Sequence, residues 1–164
     1  MSVNHYLPHV FVLPEDDANS RLADGFHDEV EWTRYRQMQV LRVAGGRERV
    51  LELFKAQHVK GMDRFTKRFV VLLTDFDGDE DWLEHARAAI PEHLTDRVFI
   101  LGSRTNPEAL KIALGLGFCE PIGSALAKDC RDDSYTSWAH DLLRHNAVEL
   151  DRLRDHVRPI LFQS

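Results

Sequence analysis

The chain has 164 residues, enough for one domain, residues 1–164, with a real hydrophobic core and no need of disulfides or structural zinc. Its 27 acidic residues against 21 lysines and arginines give a net charge of −6, which excludes nucleic-acid binding by bulk charge and leaves room for a local basic face. The 2 cysteines form no CxxC pair, no secretory segment stands near Met1, and no apolar run approaches the roughly 20 residues a bilayer requires, so a reducing, cytoplasmic setting is expected and a membrane-spanning role is not.

In chain order, the first predicted strand covers residues 9–14, a short run of Val, Phe and Leu, and is followed by a helix over 16–31 with Leu22, Phe26 and Val30 at four-residue spacing. A second strand is predicted over 37–44 and a helix over 47–59, striped by Val50, Leu51 and Phe54. The run RFVVLLT predicts a third strand over 68–74, then a helix over 79–90 ended by Pro91, and a fourth strand over 97–102. Strands alternating with crossovers of helical length predict an α/β fold with a mainly parallel sheet of four or more strands, flanked by helices on both faces. A short helix opened by Pro107 is expected over 106–116, and residues 117–133 read as loop. From Thr136 to Pro159 the pattern predicts one long C-terminal helix with Trp138, Leu142, Leu150, Leu153 and Val157 on one side, packed on the sheet or on a neighbouring subunit. Residues 9–115 thus form the expected α/β core and 117–164 a helical extension, with no internal repeat or linker.

The residues most telling of function are Asp75 and Asp77 in LLTDFDGDED, because an apolar run ending in Asp-x-Asp places carboxylates where a parallel sheet opens to solvent. Such a pair repels itself and raises its own pKa values, and a divalent cation is its simplest relief. Glu15 ends the first strand in the same way. Other acids have a plainer role: Asp16, Asp17 and residues 79–81 sit in predicted first turns, where negative charge favours a helix N-terminus.

Weaker signals surround these. Gly45-Gly46 before a helix could present free N–H groups to phosphate, but neither a six-residue glycine fingerprint nor a Gly-Lys-Ser/Thr element is present, and a tight turn suffices to explain the pair. The 9 histidines contain no HExxH, and His140 and His145 fall on different faces of a helix. Lys60, Arg64, Lys67 and Arg68 make the densest basic stretch and the best candidate for a phosphate-backbone face, although the strand's polarity puts them at the edge opposite Asp75. Arg144, Arg152, Arg154 and Arg158 alternate with acids in the C-terminal region and read as salt-bridged surface.

The order of features, Glu15 after the first strand, Gly45-Gly46 after the second and Asp75-Phe-Asp77 after the third, resembles the TOPRIM domain of topoisomerases, bacterial primases and small nucleases over roughly residues 10–110. The resemblance implies a Rossmann-like TOPRIM fold, Glu15 as general acid or base or metal ligand, Asp75 and Asp77 as ligands of Mg²⁺ or Mn²⁺, and action on phosphodiester bonds of DNA or RNA. The family often carries a further acid four residues past the glutamate, and here that residue is Asn19. By similarity to OLD-type nucleases of the group, Glu108 takes the place of a later acidic ligand and Lys128 that of a downstream catalytic lysine. LLTDFDGD is also similar to the first motif of haloacid dehalogenase-like phosphatases; that likeness implies Asp75 as nucleophile, Asp77 as general acid, Ser103 and Lys128 at the phosphate, and Asp132 with Asp133 holding Mg²⁺. A third reading is a non-catalytic TOPRIM-like subunit whose C-terminal helix docks a partner or a second copy.

Overall fold

The computed structural model describes residues 3–162; the outermost residues of the expected domain, 1–2 and 163–164, lie outside the described part. Four parallel strands form one sheet in the order β2-β1-β3-β4: β1 (His9–Pro14), β2 (Met38–Val40), β3 (Arg68–Leu73) and β4 (Val98–Leu101). The fold is therefore α/β with an all-parallel sheet flanked by helices, as the alternation predicts.

Strict alternation along the strands splits the core into two layers. Val10, Val12, Val71, Leu73, Phe99 and Leu101 point to one face, where α1 (Asp17–Asp28), α6 (Glu120–Asp132), α7 (Ala147–His156) and α8 (Arg158–Leu161) cover them. Phe11, Leu13, Val70, Leu72, Val98 and Ile100 point to the other, beneath α2 (Arg47–Leu53), α3 (Val59–Arg64) and α4 (Trp82–Ala88). A π-helical turn, Phe54–His58, joins α2 to α3, so this helical stretch outruns its expected end.

The chain leaves β1 by α1 on one face and leaves β3 by α4 on the other. Neighbouring strands β1 and β3 therefore carry helices that diverge to opposite faces, which opens a crevice beyond their carboxyl ends. The β1–β3 register sets Pro14 beside Leu73, so the next residues of both strands, Glu15 and Asp75, emerge into that crevice.

The C-terminal half departs from expectation in two places. Residues 117–133 are not loop: α6 fills 120–132, with Pro121 in its first turn, where the missing N–H costs nothing. Its close crossing with α1 explains the glycines. A Cβ on Gly123 would stand 1.8 Å from the Leu22 carbonyl oxygen, and one on Gly25 would stand 2.0 Å from that of Glu120. The single long helix over 136–159 is also corrected. Turns occupy 136–143, a short 3₁₀ segment spans Arg144–Asn146, and α7 and α8 follow, with Pro159 inside the first turn of α8 rather than ending a helix.

The cause of the break is polar. The Asp129 carboxylate accepts hydrogen bonds from the Ser137 and Trp138 amides, and the Asn146 side chain exchanges two bonds with the Gly102 backbone. Glu149 then accepts from the Ile100 amide, and Arg152 donates to the Val98 carbonyl. The exposed edge of β4 is thereby capped by one helical face instead of a fifth strand. Among the described residues no helix is long and apolar enough to cross a membrane.

Candidate metal centre at the sheet crevice

The floor of the crevice is set by backbone. Past its end, β3 stays paired with the chain beyond β4: the Thr74 amide donates to the Leu101 carbonyl at 2.9 Å, the Phe76 amide to Ser103 at 2.9 Å and the Gly78 amide to Arg104 at 2.8 Å. A Cβ at Gly102 would meet the Thr74 carbonyl oxygen at 1.5 Å, so only glycine lets the two segments run this close. The Trp82 indole donates to the Thr74 hydroxyl at 2.9 Å and ties α4 to the same point.

Glu15 and Asp75 meet here. Glu15 Oε2 accepts the Asp75 amide at 2.5 Å, and the Glu15 backbone is held on both sides, by Leu73 and by the Gly45-Gly46 turn, whose amides both reach the Glu15 carbonyl. Gly45-Gly46 therefore anchors the acid's backbone. The third carboxylate is Asp16, the N-cap of α1. Its Oδ1 accepts the Asn19 amide at 2.9 Å and the Asn19 side-chain NH₂ at 3.0 Å, while the same NH₂ donates to Asp75 Oδ1 at 3.0 Å. One ligand atom from each of Glu15, Asp16 and Asp75 lies within 4.8 Å of the others.

The donor set fits a hard divalent cation. One oxygen of each carboxylate is held by a protein donor, whereas Glu15 Oε1, Asp16 Oδ2 and Asp75 Oδ2 accept no hydrogen bond from the described residues. Asp75 is 5 % exposed. Burial pushes its pKa from 3.8 up to about 7, against the Asn19 hydrogen bond, and the charges of Glu15, Asp16 and Asp77 add to the rise. Burial likewise raises Glu15, opposed by the Asp75 amide and reinforced by Asp16 and Asp77. Burial and crowding thus favour the protonated forms of Glu15 and Asp75, and a cation would favour their charged forms.

The other candidates are placed differently. Asp77 has φ of 51°, a left-handed conformation that Asp tolerates, and its carboxylate turns to the Arg47 guanidinium at 3.7 Å. Arg47 also holds Asp79 at 3.3 Å and lies over the Trp82 ring. Asp77 thus stands at the rim, close enough to raise its neighbours' pKa values but outside the triad. Glu108, in the first turn of α5 (Pro107–Leu114), lines the same cleft as Asp16 and Asp75 and pairs with Lys111 at 2.8 Å. Lys128 stands at the far end of α1, where it faces Glu29 at 3.9 Å, about one helix length from Asp16.

Lys60, Arg64 and Lys67 are exposed at the amino end of the sheet, separated from Asp75 by the length of β3, about 20 Å. Arg68 is no part of a phosphate face: it is 6 % exposed and donates to His9 and His5. For the phosphatase set, Ser103 adjoins the Asp75 segment but its hydroxyl donates to the Asn106 carbonyl, and Asp132 pairs with Arg131 at the distal end of α6. The sequence offered Asp16 only as a helix cap and Asn19 only as a missing acid. The signal for both was in hand, since an N-cap directly after a strand-terminal Glu must lie beside it.

Compared with family models, with characterised proteins and with solved structures, the chain finds no match.

Proposed function

We propose that this chain is a divalent-cation-dependent, TOPRIM-like protein that cleaves phosphodiester bonds of nucleic acid in a reducing, cytoplasmic setting. The observation that carries the reading is the convergence of Glu15, Asp16 and Asp75, each with one unengaged oxygen, at the crevice between β1 and β3. Glu15, Asp16 and Asp75 would hold the cation. Bound Mg²⁺ or Mn²⁺ would supply positive charge to the phosphate and lower the pKa of water.

The chain's own residues do the rest. Asn19 keeps Asp16 and Asp75 in register through one NH₂ group, which engages one oxygen of each and leaves the other for a cation. The hydrogen bond from the Asp75 amide fixes Glu15, and burial raises its pKa, which makes it a better proton acceptor than an exposed carboxylate. Hydrolysis then adds a water oxygen to phosphorus and breaks one P–O ester bond; the water's proton passes to carboxylate and from it to the departing oxygen, which leaves as hydroxyl. Arg47, set by Asp77 and Asp79, contributes positive charge at the rim.

The test is cleavage of single- and double-stranded DNA and RNA by purified protein with Mn²⁺ or Mg²⁺. Asp75→Asn and Glu15→Gln should each abolish it, because the isosteric amides remove charge and keep shape. No cleavage above the amide variants on any nucleic acid would favour the non-catalytic subunit instead. Phosphomonoester hydrolysis lost in Asp75→Asn but kept in Glu15→Gln would favour the phosphatase.

A further inference from the structure

The cleft above the carboxylates is built by residues that the strand-end acids do not require. The first turns of α1, α5 and α6 enclose an open space of about 510 Å³, lined by Asp16 and Asp75 on the floor and by Arg21, Glu108, Lys111 and Phe118 on the walls. Its size falls within the range of pockets that enclose small ligands or single monomer units, roughly 300–1,000 Å³. Phe118 is 69 % exposed, on the short link that leads into α6. The glycine-mediated crossing sets Glu120, the start of α6, against Gly25 of α1, and the link before it lines the same cleft as the first turn of α1.

We infer that this cleft is a subsite for one unstacked nucleotide of a single strand, with the base on the Phe118 ring and the adjoining phosphate between Arg21 and Lys111. The inference rests on the phosphodiesterase reading for the bond presented to Asp75, and adds the form of nucleic acid that can reach it. An exposed ring offers a face to any base, and base–aromatic stacking tolerates sequence. Among the described residues Arg21 and Lys111 pair with carboxylates of their own helices, Asp17 at 2.9 Å and Glu108 at 2.8 Å. Both carboxylates are exposed, so such local pairs are weak and can give way to a phosphate. The floor decides between single strand and duplex: Asp75 is 5 % exposed and recessed among three helix ends, so a rigid double helix meets the walls before its phosphates reach the carboxylate. A flexible strand can bend one nucleotide inward.

Binding can be tested apart from cleavage. A short fluorescent oligothymidylate is titrated with Asp75→Asn protein in chelator at low salt, and anisotropy is compared with that of the corresponding duplex. Single strand should bind at least about tenfold more tightly. Adding Phe118→Ala or Phe118→Leu should weaken it by about five- to a hundredfold, and Phe118→Tyr should keep it. The exposure of Phe118 makes all three variants foldable, and equal melting temperatures would verify this. The subsite is overturned if duplex binds as well as single strand, if neither binds, or if Phe118→Ala or Phe118→Leu binds like the parent. Failure of the phosphodiesterase reading looks different: single-strand binding would keep its dependence on Phe118 while no metal ion elicits cleavage.

Discussion

At the carboxyl end of the sheet Asp75 is 5 % exposed and crowded by Glu15 and Asp16; at the amino end Arg68 is 6 % exposed with no acid beside it. Both are charges withdrawn from water, yet their surroundings differ. Arg68 Nε donates to His9 Nε2 at 2.9 Å, which leaves His9 Nδ1 as the protonated nitrogen donating to the Leu7 carbonyl at 2.8 Å. Arg68 Nη2 donates to His5 Nδ1 at 3.0 Å, and the guanidinium lies against the Phe11 and Phe65 rings, 4.2 and 4.6 Å from their centroids. Imidazole nitrogens and ring faces thus spread the cation's charge inside the protein. At the other end Asp16 and Asp75 line an open cleft, and each of the three carboxylates keeps an oxygen that accepts no hydrogen bond from the described residues. A buried charge alone is therefore poor evidence of a site; unsatisfied coordinating atoms with access from outside distinguish the two ends.

The comparison is broken or upheld most sharply by removing each charge. In chelator at pH 8, Asp75→Asn should raise stability by about 2–4 kcal/mol. The sign follows from the raised pKa: the unfolded carboxyl ionises near 3.8 while the native one holds its proton to about 7, so native stability falls as pH rises between those values and the full cost is present above them. Mn²⁺ should stabilise the wild type, by about 2.7 kcal/mol at a hundredfold excess over Kd, and Asp75→Asn should lose most of that gain. Thermal melts with and without Mn²⁺ measure both. A variant that melts lower than wild type in chelator would make Asp75 a structural residue like Arg68.

The opposite sign is expected at the amino end. Arg68→Met removes the donor to His9, which is 0 % exposed, together with two ring contacts, and should destabilise by roughly 2–3 kcal/mol whatever the metal content. Urea denaturation reads this directly. A stabilised Arg68→Met protein would show that the cation is no better accommodated than Asp75.

Proton linkage sharpens the contrast. Burial lowers the pKa of His9, partly offset by its bond to the Leu7 carbonyl and assisted by the Arg68 and His5 charges; burial, then Arg68, lowers His58. For both, the unfolded imidazole takes up a proton below about pH 6.5 before the native one does, so stability present above that value is lost on acidification. Each such group adds up to about 1.4 kcal/mol per pH unit to the slope. In wild type the rise from Asp75 and Glu15 on acidification masks this loss. In protein carrying both Asp75→Asn and Glu15→Gln, denaturation midpoints between pH 7 and pH 5 should fall steadily, and a flat profile would remove the imidazole account.

The site was legible where the chemistry is tied to strand ends and obscure where it depends on helix approach. The span of β1 was read correctly, and β3 to within one residue, because continuous Val, Leu and Phe between polar breaks has few other uses; from the two strands followed the positions of Glu15 and Asp75. The second strand was read too long, since after Val40 only the Leu41 and Ala44 amides still bond to the chain of β1. Residues 117–133 read as loop, yet α6 forms there, with Pro121 suited to its first turn and Gly123 to its contact with α1. The apolar residues of 136–159 do face the core, but that spacing is indifferent to interruptions imposed by Asp129 and Asn146. Asp77 shows the same limit. Alternation along a motif says which residues are near, whereas a left-handed turn decides where each carboxylate points.

That last point gives the smallest expected effect. The Asp-x-Asp motif, taken from sequence, makes Asp75 and Asp77 equal partners; the structure pairs Asp77 with Arg47 at 3.7 Å and leaves its side chain 51 % exposed. Asp77→Asn should therefore lower cleavage by less than about tenfold, worth about 1.4 kcal/mol, where Asp75→Asn abolishes it. The residual loss has a stated route: without the Asp77 charge Arg47 keeps its bonds to Asp79 and the Phe76 carbonyl, so the guanidinium stays in place while the acids lose one repelling neighbour. The pKa of Asp75 should then drop, and the acid limb of the pH–rate profile should move to lower pH. If Asp77→Asn is as dead as Asp75→Asn at saturating Mn²⁺, the carboxylate must swing from Arg47 into the triad when metal binds, and the distinction between floor and rim fails.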